Sequence, residues 1–166
     1  MTESKQGPRV SVLFVCLGNI CRSPTAEGVV QSLVDKAGLS AFVRLDSAGT
    51  AGYHQGEEAD PRTRRAAAAR GVNITHRARQ VVPSDFEQFD LLLALDVNNE
   101  AVLLGQAPPA SKARVKLFRS YDPESQARAS VPDPYYGGAD GFEEVLDQCE
   151  RVGAGLLAEL RRVYSF

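Results

Sequence analysis

A chain of 166 residues, 43% hydrophobic and 24% charged, has the material for one core of ordinary size, and no second domain is expected. A net charge of −2 removes the overall electrostatic case for nucleic acid or an anionic membrane as partner, and no apolar run approaches the ~20 residues of a membrane span. Three cysteines without paired metal-ligand spacing speak against a disulfide scaffold and a structural zinc site, and the polar start Met1 to Pro8 is unlike a signal peptide, so a cytoplasmic protein is expected.

In chain order, residues 1–9 are read as a flexible tail and 10–166 as one domain. Val10 to Val15 is a short β-branched run of the kind that forms a buried strand. Five residues then separate Cys16 from Arg22, and Ser23-Pro24 reads as an N-cap followed by proline in the first turn of a helix. The apolar positions Ala26, Val29, Val30, Leu33, Val34 and Ala37 fall on one face of that helix. A loop joining strand to helix at this point can close round a tetrahedral oxyanion. Backbone N–H groups of Leu17, Gly18, Asn19, Ile20, Cys21, Arg22 and Ser23, together with the Arg22 guanidinium, would converge above the Cys16 sulfur. The helix N-terminus would favour both a bound dianion and the cysteine thiolate. The spacing alone is weak, and a buried strand-end cysteine is the bland alternative; the strand, loop and capped helix together carry the reading.

Further strands are predicted at Phe42 to Ser47, Phe89 to Leu95 and Arg114 to Phe118. Helices are predicted from Asp60 to Arg70, from near Asp96 to Gly105, and from about Asp140 to Tyr164, with a short turn opening at Ser84, where Ser84 and Glu87 have capping-box spacing. The last helix carries an inward stripe of Phe142, Val145, Leu146, Cys149, Val152, Leu156, Leu157, Leu160 and Val163, which makes Cys149 a core residue. Alternating strands and helices predict an α/β fold: one doubly wound sheet of about four parallel strands, helices on both faces, and the phosphate-binding loop between the first strand and first helix.

Ser120 to Gly138 is the least regular stretch and holds Asp133-Pro134-Tyr135-Tyr136-Gly137-Gly138. Asp-Pro also occurs at Asp60-Pro61 and Asp122-Pro123, where it reads as a helix cap or loop punctuation, so the dipeptide alone decides nothing. Chemical need favours Asp133. Displacement at a phosphate monoester requires a proton for the leaving oxygen, which Cys16 and Arg22 do not supply and a carboxyl group beside aromatic walls does. The two tyrosines offer flat apolar walls for an aromatic substrate, or serve only as packing.

With both motifs in view, the chain resembles the low-molecular-weight protein tyrosine phosphatases. These are marked by Val-Cys-x-Gly-Asn-Ile-Cys-Arg-Ser-Pro near the N-terminus, here Val15 to Pro24, and by Asp-Pro-Tyr-Tyr-Gly late, here Asp133 to Gly137. The similarity continues through Asp46 to Thr50, Ala59 to Arg62, His76 to Gln80, Phe89-Asp90 and Ser120 to Pro123. The resemblance implies hydrolysis of phosphotyrosine in proteins or peptides, of small phosphate monoesters, and release of inorganic phosphate. It implies a phosphocysteine at Cys16, a phosphate clamp at Arg22 and a general acid/base at Asp133. It further implies that Asn19, Ser23, Ser47 and His76 support the loop, and that Ile20, Tyr53, His54, Tyr135 and Tyr136 line the substrate pocket. Cys21 would form a reversible disulfide with the nucleophile. No metal or other cofactor is expected, and a monomer is.

Three alternatives keep the loop but change the function. Arsenate reductases resemble this chain less because they use further resolving cysteines, and Cys149, the one late cysteine, lies on a core stripe. Arginine phosphatases resemble one another in carrying threonine where this loop has Ile20. A non-catalytic oxyanion-binding module would need neither a nucleophile nor a proton donor.

Overall fold

The computed structural model describes residues 7–124 and 128–166; residues 1–6 of the expected N-terminal tail lie outside them. Four parallel strands form one sheet in the order β2-β1-β3-β4: β1 (Val10–Cys16), β2 (Val43–Gly49), β3 (Leu91–Ala94) and β4 (Val115–Leu117). β1 is buried along its whole length, and its side chains alternate between two cores. Val10, Val12, Phe14 and Cys16 face the helices α1 (Arg22–Lys36) and α5 (Ala139–Tyr164). Leu13 and Val15 face α3 (Asp85–Gln88) and α4 (Val97–Gln106) through Phe86, Phe89, Leu103 and Ala107. Helices thus cover both faces of a doubly wound sheet, as predicted. The remaining helix, α2 (Pro61–Ala68), packs on α5. No helix among the described residues is long and apolar enough to cross a membrane.

Several predicted boundaries move for identifiable reasons. Cys21, not Ser23, occupies the N-cap of α1, and Ser23 lies inside the first turn, leaving its hydroxyl free for the loop. Pro24 is accommodated there because the first turn of a helix needs no intrahelical N–H. β2 starts at Val43 rather than Phe42, whose ring is 41% exposed and stacks on Phe166. β3 shortens because Phe89 ends α3, and β4 shortens because 3-10 turns at Pro109–Arg114 and Phe118–Tyr121 flank it. Ser84 makes no side-chain cap; Asp85 instead accepts the Val82 N–H. Val163, expected on the inward stripe, is 54% exposed. It lies in the last turn of α5, on the rim of an open groove shared with Tyr164, Leu91 of β3 and Lys116 of β4.

Asp122, whose sequence context suggests a helix cap or loop punctuation, has a fully buried side chain ion-paired with Arg119 and Arg151. These pairs hold its carboxyl well below the usual carboxylate range and join the 118–123 segment to α5. Arg9, at the end of the predicted tail, donates its N–H to Phe42 O and lies over the Phe166 ring.

Candidate active site

Cys16 ends β1 at the carboxyl edge of the sheet, where α1 begins six residues later. The intervening turn is tight. Asn19 takes a left-handed backbone (φ 57°), which asparagine tolerates better than most residues. Gly49, at the end of β2, lies beneath the loop: a Cβ there would sit 2.7 Å from Leu17 O and 2.9 Å from Ala51 O. Thr50 and Ala51 donate their N–H groups to the carbonyls of Cys16 and Leu17, so β2 braces the loop from behind. Among the described residues, no backbone N–H from Leu17 to Ser23 is engaged by a protein acceptor. Those donors, with the dipole of α1 behind them, suit a tetrahedral anion.

Asn19 is 1% exposed, and every hydrogen-bonding position on its amide is used. Its Nδ2 donates to Ser23 Oγ at 2.7 Å and to Ser47 Oγ at 3.0 Å. Its Oδ1 accepts from the Arg79 N–H and from His76 Nε2, which fixes the proton of that imidazole on Nε2. Because Ser23 Oγ already accepts from Asn19, its own hydrogen is free for Cys16 Sγ, 3.0 Å away. By the same logic Ser47 donates to Glu27 Oε1 at 2.6 Å.

Glu27 and Asp46 both stand 3.4 Å from His76 Nδ1, and Arg79 bridges Asp46 and Asp85. Burial pushes the Glu27 carboxyl up to about 7, aided by the charge of Asp46 and opposed by the Ser47 bond. Burial also holds His76 below its ordinary value, against the pull of Asp46.

Arg22 is 4% exposed. Its Nη1 donates to Asp96 at 2.5 Å and to the Val131 carbonyl at 3.1 Å, leaving the Nε and Nη2 edge for a ligand. Desolvation works against its charge, but the surrounding Cys16, Asp96 and Asp133 outweigh it and keep the guanidinium protonated. Asp133 Oδ2 lies 3.6 Å from Arg22 Nη2. Its other oxygen accepts the Tyr135 N–H, a short turn that points the carboxyl across the cleft mouth.

The cleft above Cys16 holds about 230 Å³ and is lined by Leu17, Gly18, Ile20, Cys21, Tyr53, His54, Tyr135 and Tyr136 together with Cys16, Arg22 and Asp133. Every sequence-predicted pocket residue therefore meets there. Tyr53 and Tyr136 stand at the mouth, 77% and 94% exposed. His54 packs against Gly18, with Nδ1 held by Glu57 at 2.6 Å. Ser47 and His76 stay outside the cleft and act on Asn19. Cys21 is buried and reduced, and burial pushes its thiol up to about 12.

Sequence reasoning missed Asp96, Glu27, Arg79 and the Val131 carbonyl. Asp96 had a readable signal, since it follows the apolar β3 and therefore reaches the same sheet edge as Cys16; it also caps α4 by accepting the Asn99 N–H. Glu27 and Arg79 look like ordinary surface charges until β2 and the 76–80 segment are brought against α1.

Fold and site together define an α/β protein whose strand-to-helix loop turns unengaged amides and a buried arginine toward a cysteine. The family described as low molecular weight phosphotyrosine protein phosphatase matches residues 11–165, and the chain belongs to that family. A low molecular weight protein-tyrosine-phosphatase of Streptomyces coelicolor is 51% identical over 152 residues, covering 90% of this chain and 93% of its own. The solved protein tyrosine phosphatase of Entamoeba histolytica, with Hepes in its active site, superposes with a TM-score of 0.90 at 39% identity, over 93% of this chain and 99% of that one. The arginine phosphatase YwlE of Bacillus subtilis superposes with a TM-score of 0.83 at 26% identity, over 92% and 96%.

Proposed function

We propose that the protein is a tyrosine phosphatase that cleaves phosphotyrosine monoesters in proteins or peptides in two displacements at phosphorus. In the first, the Cys16 thiolate attacks phosphorus, the ester P–O bond breaks, and Asp133 gives its proton to the departing phenolic oxygen. The loop N–H groups and the Nε and Nη2 edge of Arg22 follow the phosphoryl oxygens as charge spreads over them. In the second, Asp133 takes a proton from water, the oxygen attacks phosphorus, and Cys16 leaves as thiolate with release of inorganic phosphate. The chemistry requires no metal or cofactor on this reading, because cysteine, arginine and amides supply nucleophile and charge stabilisation.

The observation that carries the reading is the convergence of Cys16, the Arg22 fork, the unengaged loop amides and Asp133 on one small cleft. Phosphotyrosine is favoured over phosphoarginine by the apolar Ile20 and the tyrosines that line the cleft. Phosphoserine would leave the phosphate short of the loop if the tyrosines and Tyr53 set the depth of the mouth. A cytoplasmic monomer without nucleic-acid or membrane partners completes the proposal, in keeping with the near-neutral charge.

Cys21 is proposed as the partner of an oxidised Cys16, supported by its place in the same loop. Its burial keeps it a thiol at neutral pH, so the disulfide would form slowly.

The test is hydrolysis of phosphotyrosine, phosphoserine and phosphoarginine peptides by the reduced protein, beside Cys16→Ser and an arsenate-reduction assay. Turnover selective for phosphotyrosine and absent in Cys16→Ser is expected. Preference for phosphoarginine, or reduction of arsenate, would overturn the substrate assignment, and turnover persisting in Cys16→Ser would overturn the mechanism.

A further inference from the structure

The phosphate loop and the loop that bears Asp133 come from opposite ends of the chain, and two residues at the start of α2, its cap Asp60 and Arg62, span the gap between them. Asp60 donates its N–H to the carbonyl of Ile20 at 2.9 Å, which ties it to the phosphate loop. Its carboxylate caps α2 by accepting the Arg62 N–H at 2.8 Å and grips the Arg62 guanidinium with both oxygens, at 3.1 Å from Nε and 2.8 Å from Nη2. That grip holds the guanidinium over two rings, 5.4 Å from the centroid of Tyr135 and 4.7 Å from that of Phe142. Tyr135 in turn donates its N–H to Asp133 and meets Tyr136 edge-on at 4.9 Å.

A continuous path therefore runs from Ile20 through Asp60 and Arg62 to Tyr135 and the acid. Tyr135 is 37% exposed and the loop around it is glycine-rich, so few other contacts fix the position of its ring. An arginine held flat by a bidentate carboxylate suits this role. Its planar fork is oriented before any ring arrives, and its face is open to stack. A lysine would offer one rotating ammonium, with neither the two-point grip nor a face.

We propose that Arg62, oriented by Asp60, is a positioning residue that sets Tyr135 as the wall of the cleft and so determines how well the site grips the aryl group of its substrate. The inference rests on the phosphotyrosine reading but concerns a residue that touches neither the phosphate nor the reacting atoms. Arg62 acts on the aromatic part of the ligand alone, because the phosphate is held by Cys16, Arg22 and the loop amides.

The test measures, by calorimetry, binding of phenylphosphonate and of inorganic phosphate to the wild type, Arg62→Ala, Arg62→Lys, Tyr135→Ala and the Arg62→Ala/Tyr135→Ala double variant, with turnover of a phosphotyrosine peptide followed alongside. Arg62→Ala is expected to weaken phenylphosphonate about fivefold while phosphate stays within about twofold, with Arg62→Lys changing in the same direction. In the Tyr135→Ala background the Arg62→Ala change should shrink below about twofold, because the contact through which it acts is gone. Equal weakening of both ligands, no change in phenylphosphonate, or an undiminished Arg62→Ala effect without Tyr135 would overturn the proposal. Unchanged phosphate binding serves as the control for folding, and Arg62→Lys carries the test should the alanine variant fail to fold. Absence of wild-type turnover with the binding pattern intact would overturn the phosphotyrosine reading and leave the role of Arg62 standing.

Discussion

The two halves of the cleft are held in opposite ways. On the phosphate side Cys16, Asn19, Arg22 and Ser23 are 3%, 1%, 4% and 0% exposed, and each is fixed by partners that are themselves buried or ion-paired. On the acid side the Asp133 side chain is 41% exposed and Tyr136 is 94% exposed. The 131–138 loop is anchored at Val131, whose N–H bonds Leu95 O and whose carbonyl accepts from Arg22; beyond it the ties are the Arg22–Asp133 pair, the Gly137 N–H on Pro134 O, the Asp133 turn and the Arg62 contact. The difference follows from what each half handles. A phosphoryl group has the same shape and charge in every substrate, so a rigid, preorganised cradle serves all of them without reorganising. The leaving group differs from one phosphoprotein to the next and must make way for water, so its half of the cleft stays open.

Breaking the rigid half should have the largest effect. Arg22→Lys keeps the charge but loses the fork that reaches Asp96, the Val131 carbonyl and the ligand together, and a fall of about 10³-fold in kcat is expected. Steady-state kinetics checks it, and a fall under tenfold would show that the planar geometry of Arg22 is dispensable.

Asp133→Asn attacks the open half and should act selectively. Turnover of phosphotyrosine is expected to drop about 10² to 10³-fold, with a smaller drop for p-nitrophenyl phosphate, whose leaving group needs less help from an acid. Competitive inhibition by inorganic phosphate should be unchanged. Equal losses for the two esters would remove Asp133 from the proton-donor role.

The smallest effect lies behind the cradle. Glu27 has a folded pKa of about 7, above the usual carboxylate value, so folding takes up a proton there. A raised folded pKa makes its contribution fully present below the unfolded value near 4.5 and lost as pH rises through 7. Stability should therefore fall between about pH 4.5 and 7 on account of this group, by on the order of 3 kcal/mol. Glu27→Gln, which keeps an acceptor for Ser47, is expected to flatten that slope in denaturant titrations across the range. An unchanged slope would mean that the proton is not held at Glu27.

Much of this was legible in the sequence because the phosphate loop is local. Strand, turn and helix lie within 27 consecutive residues, Val10 to Lys36, and periodicity marks both flanks. The long α5 was equally plain, its boundary displaced by one residue. Ser23 shows where local rules stop: its spacing fits a helix cap, yet its oxygen serves Asn19 and Cys16 because the cap position fell on Cys21. Asp60 caps α2 as its sequence context predicts, whereas Asp122, in the same dipeptide context, is buried between Arg119 and Arg151, and only packing reveals the second of these.

The class of fold, the nucleophile-bearing loop and the residues of the two motifs are written in local sequence, since strand and helix patterns and a contiguous anion loop depend on near neighbours along the chain. Beyond the loop's own Asn19–Ser23 and Cys16–Ser23 contacts, the partners of those residues come from tertiary packing. Arg22 meets Asp96 across 74 positions, Asn19 meets His76 across 57, and Asp133 faces Arg22 only because β3 and α5 pack where they do. Such pairings depend on how buried strands and helices stack, a collective outcome of the whole core that no single stretch of sequence encodes.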